Sequence, residues 1–148
     1  MATTEINPQD LRVAVDTFPA DQPVLMVNLL RFNTQADYSA AKAAATDTPL
    51  PAASGQEVYL TRYLPAFSEA MAPLGISEVV FAGMVAARLV GPSEARWDAV
   101  AVATYPSIKA FRDLVEDPGY LSQAAPHRLA ALADWQLFAT AALNPSAG

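Results

Sequence analysis

An α+β fold is predicted from the order of two kinds of apolar segment along this sequence. Short runs rich in Val, Leu and Ala alternate with segments in which apolar residues recur every three or four positions. After a first helical segment, the order is strand, helix, strand, strand, helix, strand. That order is typical of the ferredoxin-like βαββαβ arrangement, in which two helices cover one face of a four-stranded antiparallel sheet.

The first two elements are an N-terminal helix and a buried strand. Asn7 and Pro8 are typical of a helix start. Leu11 and Val15 then fall on one side of a short amphipathic helix. Residues 23–32 form an apolar run between a proline and a polar turn, which indicates a strand.

A surface insertion and a long helix follow the first strand. Residues 34–55 combine an alanine-rich part that suits a helix with a loop that contains two prolines. The next helix is predicted over residues 55–75, where large apolar residues recur at four-residue spacing: Tyr59, Tyr63, Phe67 and Met71. Because proline cannot donate a backbone hydrogen bond, Pro65 predicts a kink.

The second half of the chain is predicted to hold two strands, a broken helix and a last strand, over residues 78–90, 97–105, 107–133 and 134–143. Ser107 and Asp117 are residue types that begin helices. Pro126 predicts a break in the helical segment.

Composition excludes several classes of function. The 148 residues, 53% of them hydrophobic and 16% charged, fit a single domain and argue against disorder. The absence of cysteine excludes disulfides and thiolate chemistry. The net charge is −6 and the nine basic residues are scattered singly, so binding to nucleic acid or to an anionic membrane surface is not expected.

The sequence also lacks the common signals for cofactors and targeting. It contains one histidine and no glycine-rich phosphate loop or serine-hydrolase elbow, so no metal and no cofactor are expected. No run approaches the roughly 20 apolar residues that span a bilayer. The acidic residues near the N-terminus are unlike a secretory signal, so a cytoplasmic location is predicted.

The predicted strands are apolar on both faces, although the helices cover only one. Something must shield the other face, and a second copy of the same sheet is the simplest partner. A symmetric homodimer is therefore expected.

The third strand has an unusual row of side chains on one face. Trp97 and Tyr105 stand at its ends, with Ala99, Ala101 and Ala103 at every second position between them. The three methyl groups leave a hollow, which either a closely packed helix or a bound ligand must fill. Both interpretations stay open at this point.

Three residues are candidates for catalysis. Asn28 is a polar residue inside an apolar strand, so it must find a partner either within the fold or on a ligand. Tyr105 ends the alanine row. His127 is the only histidine and titrates near neutrality, although a lone helical histidine is more often a surface residue.

Further residues are candidates for ligand binding. Tyr63 lies on the inner face of the first long helix, and Trp97 ends the alanine row. Arg88 and Arg128 are candidates to bind an anionic group, the alternative being a salt bridge at the rim.

Several motifs together resemble a widespread family of small bacterial proteins of unknown function: MVNLLRF, the segment from Tyr59 to Tyr63, WDAVAV, YPSIKAF and DPGYLSQAAPHR. This family belongs to the dimeric α/β-barrel superfamily and is related to antibiotic-biosynthesis-type monooxygenases. The resemblance covers residues 23–143, the core of the expected single domain, 1–148. It implies the fold and the homodimer.

The superfamily also includes cofactor-free monooxygenases, muconolactone-type isomerases and haem-degrading oxygenases. In these relatives the ligand commonly sits between the sheet and its helices. Asn28, Tyr105 and His127 fall near functional positions of the haem-degrading members, although Tyr105 stands where those have tryptophan. The resemblance implies a small-molecule-binding protein, with a cofactor-independent oxygenase or isomerase of a small oxygenated apolar substrate as its enzymatic form. The alternatives are a non-catalytic structural or binding dimer and, third, a haem-binding oxygenase.

Overall fold

The computed structural model describes residues 4–39, 51–75 and 78–143. The strands are β1 (Val24–Phe32), β2 (Glu78–Met84), β3 (Ala99–Tyr105) and β4 (Leu132–Thr140). The helices are α1 (Pro8–Thr17), α2 (Gly55–Val58), α3 (Leu64–Met71), α4 (Ile108–Val115), α5 (Pro118–Gln123) and α6 (Ala125–Ala131), and a π-helical turn, Tyr59–Tyr63, joins α2 to α3.

The predicted α+β fold is confirmed by the sheet topology. The four strands are antiparallel and lie in the order β2-β3-β1-β4, which is the strand order of a βαββαβ ferredoxin-like chain. Side chains of β1 and β3 are buried together with side chains of α2 to α6, so the main core lies between the sheet and the helices. The sheet is open, with β2 and β4 at its two edges.

The predicted helix starts are confirmed by their capping bonds. The side chain of Asn7 accepts from the backbone N–H groups of Gln9 and Asp10. Ser107 caps α4 in the same way, and Asp117 caps α5. A helix break also occurs at Pro126, which is the second residue of α6.

Near Pro65 the helix changes its hydrogen bonding. The Leu64 backbone N–H donates to the Tyr59 carbonyl, five residues back, and this bond defines the π-helical turn. Pro65 has no N–H, and its ring crowds the carbonyl of Thr61. The wider turn accommodates Pro65 at the point where the sequence predicted a kink.

Three strands, β2, β3 and β4, have bounds that differ from the prediction. β2 ends at Met84, not at Val90, because its partner β3 begins opposite Met84. Leu89 and Val90, although apolar, are more than nine-tenths exposed in the loop that follows. β3 begins at Ala99, two residues after the predicted start.

The third error concerns the last strand. β4 spans Leu132–Thr140 instead of the predicted 134–143, because its pairing with β1 runs from Leu132 opposite Phe32 to Thr140 opposite Leu25. The length of β1 therefore sets the length of β4.

The start of α2 is fastened to two other elements by backbone hydrogen bonds. The N–H of Gly55 donates to the Asn33 carbonyl at 2.9 Å, and the N–H of Asn33 donates to the Ala131 carbonyl at 2.8 Å. The end of β1, the start of α2 and the end of α6 therefore meet at one point. Gly55 is buried there, in close contact with both neighbouring chain segments.

Half of the predicted insertion, residues 40–50, lies outside the described residues. Its first part, residues 34–39, is not helical, and Tyr38 from this part contacts the helices. The tail at 144–148 is also outside the described residues. Where the structure describes the chain, none of its helices combines the length and the hydrophobicity needed to span a membrane.

Candidate functional site

The side of the sheet that faces the helices carries the predicted row of alanines. Asn28 of β1 pairs with Ala101 of β3 and Leu137 of β4, so these side chains share one face. Ala99 and Ala103 lie two residues either way along β3, on the same face, and both are buried.

Aromatic side chains of the helices cover part of this row. Tyr59, Tyr63 and Phe67 follow one another along the π-helical turn and α3, with ring centroids 4.9 and 5.8 Å apart. Tyr120 of α5 meets Tyr63 and Phe67 edge-on. Helix packing therefore fills part of the predicted hollow.

Two adjoining spaces remain above the alanines. The inner cavity has a volume of about 50 Å³, and its lining includes Asn28, Tyr63, Ala101, Tyr105 and Trp135. The apolar cleft has a volume of about 220 Å³ and lies between the long helix and the β2–β3 side of the sheet. Its lining consists of Leu30, Phe32, Gln56, Tyr59, Leu60, Leu64, Val79, Ala82, Gly83, Met84, Ala99, Val100 and Ala101. Because Ala101 lines both spaces, helix side chains do not fill the volume above it.

Asn28 has partners within the fold at both ends of its amide. Its side-chain oxygen accepts from the indole N–H of Trp135 at 2.9 Å. Its Nδ2 donates to the carbonyl of Ala101 at 3.1 Å. Both partners belong to strands of the sheet, and a ligand is not needed to satisfy the side chain. The alternative in which Asn28 is a structural residue is therefore the one that the hydrogen bonds favour.

Tyr105 closes one end of the inner cavity. It is buried, and its ring packs edge-on against Phe111 of α4 with centroids 5.2 Å apart. Tyr105 and Asn28 thus line the same cavity, as the sequence predicted for a shared site.

Tyr63 belongs to a buried chain of hydroxyls that ends at Arg128. The hydroxyls of Tyr63 and Tyr120 are hydrogen-bonded at 2.9 Å, and Nη1 of Arg128 donates to the Tyr120 hydroxyl at 2.6 Å. Burial and the neighbouring Tyr120 raise the pKa of Tyr63 well above its ordinary value. Tyr63 therefore stays a neutral phenol at physiological pH and cannot act as a base there.

Arg128 is a buried cation. Burial lowers the pKa of its guanidinium, but interactions with Tyr120 and Tyr63 outweigh this effect and leave the pKa above its ordinary value. The guanidinium carbon lies 4.8 Å from the ring centroid of Trp135, which is a favourable cation–π distance. Arg128 is therefore an interior residue and not the rim residue that the salt-bridge alternative assumed.

His127 lies in a separate, partly exposed cluster with Tyr38 and Arg62. Its Nδ1 is 2.7 Å from the Tyr38 hydroxyl, which also accepts from Nη1 of Arg62 at 3.0 Å. Because the Tyr38 hydroxyl accepts from Arg62, it is free to donate its proton to a neutral His127. His127 is not among the residues that line the inner cavity or the apolar cleft, so the three predicted catalytic residues do not converge.

The His127 cluster predicts a pH dependence of stability. Partial burial and the nearby positive charge of Arg62 lower the pKa of His127 below its ordinary 6.5. The unfolded state therefore binds the proton more readily, and the free energy of unfolding should fall as the pH drops from 6.5 through the folded-state pKa. Because His127 is partly exposed and screened by water, we expect a loss below about 1 kcal/mol.

Urea unfolding at pH 7.5 and pH 5, compared between the wild type and His127→Gln, measures this loss. Carboxylates titrate in both proteins, so the difference between their pH profiles reports His127 alone. An identical profile in the two proteins would contradict the assignment.

Arg88 and Trp97 lie away from both spaces. Nη1 of Arg88 donates to the carbonyls of Ser93 and Ala95 at 3.3 Å, within the exposed loop between β2 and β3. Trp97 is half-buried in the same loop, two residues before β3, and is not among the residues that line the inner cavity or the apolar cleft. Within the described ranges, no group of three or more His, Asp or Glu side chains is arranged to hold a metal ion.

The residues that organise this region were not predicted from the sequence. Trp135 holds Asn28 and stacks on Arg128, and Tyr120 links Arg128 to Tyr63. Tyr120 lies in a predicted helix and Trp135 in a predicted strand, but neither was identified as a candidate site residue. The sign that Asn28 required a polar partner was present in the sequence, but the sequence did not show that Trp135 supplied it.

Solved structures show where a similar architecture occurs. RPA0582, a protein of unknown function from Rhodopseudomonas palustris, is 28% identical over 98% of this chain and 100% of its own, with a TM-score of 0.78. Methylated RPA0582 gives 27% identity, 98% coverage of both chains and the same TM-score of 0.78. This chain is similar to RPA0582 over nearly its whole length. The similarity concerns a protein whose own function is unknown.

Two other structures are more distant. A dimeric protein of unknown function and ferredoxin-like fold from Bacteroides fragilis is 12% identical, covering 83% of this chain and 99% of that one, with a TM-score of 0.43. SnoaB, a cofactor-independent oxygenase from Streptomyces nogalater, is 17% identical, covering 84% of this chain and 98% of that one, with a TM-score of 0.39. These values are too low to inform on the function of this chain.

No protein-family model matches this chain, and no curated protein is significantly similar to it. The specific family resemblance noted from the sequence motifs therefore stays a prediction.

Proposed function

We propose that this protein binds a small, neutral and mostly apolar molecule in the apolar cleft. The observation that carries this proposal is a surface-accessible space of about 220 Å³ over a floor of alanine methyl groups. Sites for small molecules are concave and mostly apolar, with a few polar groups, and the cleft has this character. A cavity of roughly 150 Å³ is enough to hold one benzene in another protein.

The lining of the cleft limits the chemistry of its ligand. Among the described lining residues, only Gln56 and Tyr59 have polar side chains, and none is charged. Met84 and Leu60 at the cleft are each at least half exposed. A ligand would cover these apolar surfaces, and one oxygen-bearing group on it would be sufficient to pair with Gln56 or Tyr59. A neutral aromatic or short aliphatic molecule with a hydroxyl or carbonyl fits this description.

A more specific version of this proposal is that the protein also converts the bound molecule in the cleft. A cofactor-independent oxygenase or isomerase working there would depend on Tyr59 and Gln56, because His127 lies in a different cluster. Binding without turnover would instead identify the protein as a carrier or sensor of the ligand.

Substitution of Ala101 tests the proposal. The probe is 2-naphthol, a neutral ring compound with one hydroxyl group, titrated by calorimetry. Ala101→Leu should weaken its binding by at least about tenfold, because the added methyl groups occupy the floor of the cleft. The free energy of unfolding should change by less than about 1 kcal/mol, since these groups enter existing space.

Ala87→Leu makes the same chemical change at an exposed loop position and should leave binding unaltered. If the wild type does not bind 2-naphthol, or if Ala101→Leu binds it equally well, the cleft is not a binding site for neutral ring compounds. A turnover assay on bound ligands then separates catalysis from simple binding.

We also propose that the chain forms a homodimer through the uncovered face of the sheet. Phe81, Val102, Val27 and Phe138 lie opposite one another on four successive strands, on the face away from the helices. Phe81 and Phe138 are each at least half exposed in the single chain. An apolar row across a whole sheet is a surface that a second, symmetry-related copy would cover.

A further inference from the structure

Arg128 is a buried charge for which the described residues supply no compensating carboxylate. The residue is only 7% exposed, and its Nε has no hydrogen-bond partner within the described ranges of the chain. Its Nη2 reaches the Thr4 carbonyl only at 3.5 Å, which is the limit of a hydrogen bond. The described part of the chain forms ion pairs elsewhere, but none that involves Arg128.

Burying this charge lowers the stability of the protein when no ligand is bound. A buried guanidinium loses the favourable interactions that it makes with water. In this protein one hydrogen bond to the Tyr120 hydroxyl and cation–π contacts with Tyr120 and Trp135 replace only part of those interactions. An anion placed against the guanidinium would restore the missing charge balance through charge-assisted hydrogen bonds. The structure provides space for one.

That space is a groove between α1 on one side and α4 and α5 on the other. It has a volume of about 470 Å³, and Arg128 forms part of its wall. Apolar side chains from three segments line it: Ile6, Leu11, Val115 and Leu121. This α1 groove shares no lining residue with the apolar cleft.

We propose that the α1 groove binds an organic monocarboxylate with an apolar body. The carboxylate takes the place of the distant Thr4 carbonyl beside Arg128, and the apolar body lies along Leu11 and Leu121. The other charged side chains of the groove, Arg12, Arg112, Glu5 and Glu116, balance one another, and Arg112 is paired with Glu116. Arg128 therefore adds one net positive charge, which a single carboxylate matches and a phosphate dianion exceeds. The site is independent of the ligand proposed for the apolar cleft.

Octanoate and octanamide, titrated into the wild-type protein, test the proposal directly. They have the same chain and differ in charge, so the comparison isolates recognition by Arg128. We expect octanoate to bind at least about tenfold more tightly than octanamide. Trp135 stacks on Arg128, so its fluorescence should respond to octanoate, measured in a Trp97→Phe background that leaves Trp135 as the only tryptophan.

A pair of variants at Leu121 provides the control. Leu121 is half exposed on α5, so substitution should leave the fold intact. Leu121→Glu places a negative charge in the groove and should weaken octanoate binding at least about tenfold, whereas Leu121→Gln should weaken it less than about threefold. Neither variant alters the apolar cleft, where 2-naphthol binding should be unchanged.

Arg128→Lys completes the test, because lysine keeps the charge but loses the planar, multiply donating group. It should bind octanoate more weakly than the wild type. The proposal is overturned if octanoate shows no saturable binding at about 10 mM or if octanamide binds equally well. It is also overturned if Leu121→Glu and Leu121→Gln affect octanoate binding equally. These outcomes stand even if Arg128→Lys does not fold.

Discussion

Gly55→Ala should destabilise the protein by about 3 kcal/mol, although alanine is normally the better helix former. A Cβ at this position would overlap the backbone carbonyl oxygens of Ala131 and Asn33, and backbone atoms cannot move aside as a flexible side chain can. The substitution would separate the three segments that meet at Gly55 and break its 2.9 Å hydrogen bond to Asn33. Urea unfolding followed by circular dichroism measures the loss.

Gln56→Ala is the matched control, because it changes the next residue of the same helix and its side chain is exposed. It should alter the free energy of unfolding by no more than about 0.5 kcal/mol. Equal unfolding midpoints for Gly55→Ala and the wild type would show that α2 does not dock as closely as described.

Val27→Lys should convert a dimer into a monomer. Val27 lies in the middle of the apolar row on the uncovered face, between Val102 on β3 and Phe138 on β4. A two-fold interface would receive two unpaired ammonium groups, one from each chain, and dissociation should become easier by at least about a hundredfold. Sedimentation equilibrium should give twice the chain mass of 15.7 kDa for the wild type and the single mass for the variant.

Val27→Thr keeps the shape of valine without a charge and should remain a dimer at the same concentration. If the wild type sediments as a single chain over the whole concentration range, the homodimer proposal is wrong. If wild type and Val27→Lys are both dimeric, the chains associate through another surface.

The fold was predictable because it depends on local signals. The capping residues Asn7, Ser107 and Asp117 and the apolar runs of the strands act within a few positions of the chain, and the structure confirms them. The strand ends were not predictable in the same way. Val90 is as apolar as the residues of β2, but in the described part of the chain no partner strand extends beside it.

The candidate site was predictable only in part, because it depends on contacts between distant segments. The alanine row and the polar character of Asn28 are visible in the sequence. The hydrogen bond from Trp135 to Asn28 joins residues that are 107 positions apart, and the sequence around neither residue predicts it. The same holds for His127, whose partner Tyr38 comes from a segment predicted only as an insertion.

The π-helical turn gives the long helix one residue more than a regular helix would use over the same length. Tyr59 and Tyr63 belong to this turn, and Phe67 follows in α3. The three rings contact one another in sequence along the same side of the helix. Because of the extra residue, the side chains of α3 point in a different direction about the helix axis than they would if a regular helix continued from α2. One half of the helix can keep Gly55 against its neighbours while the other directs its aromatic rings over the alanines.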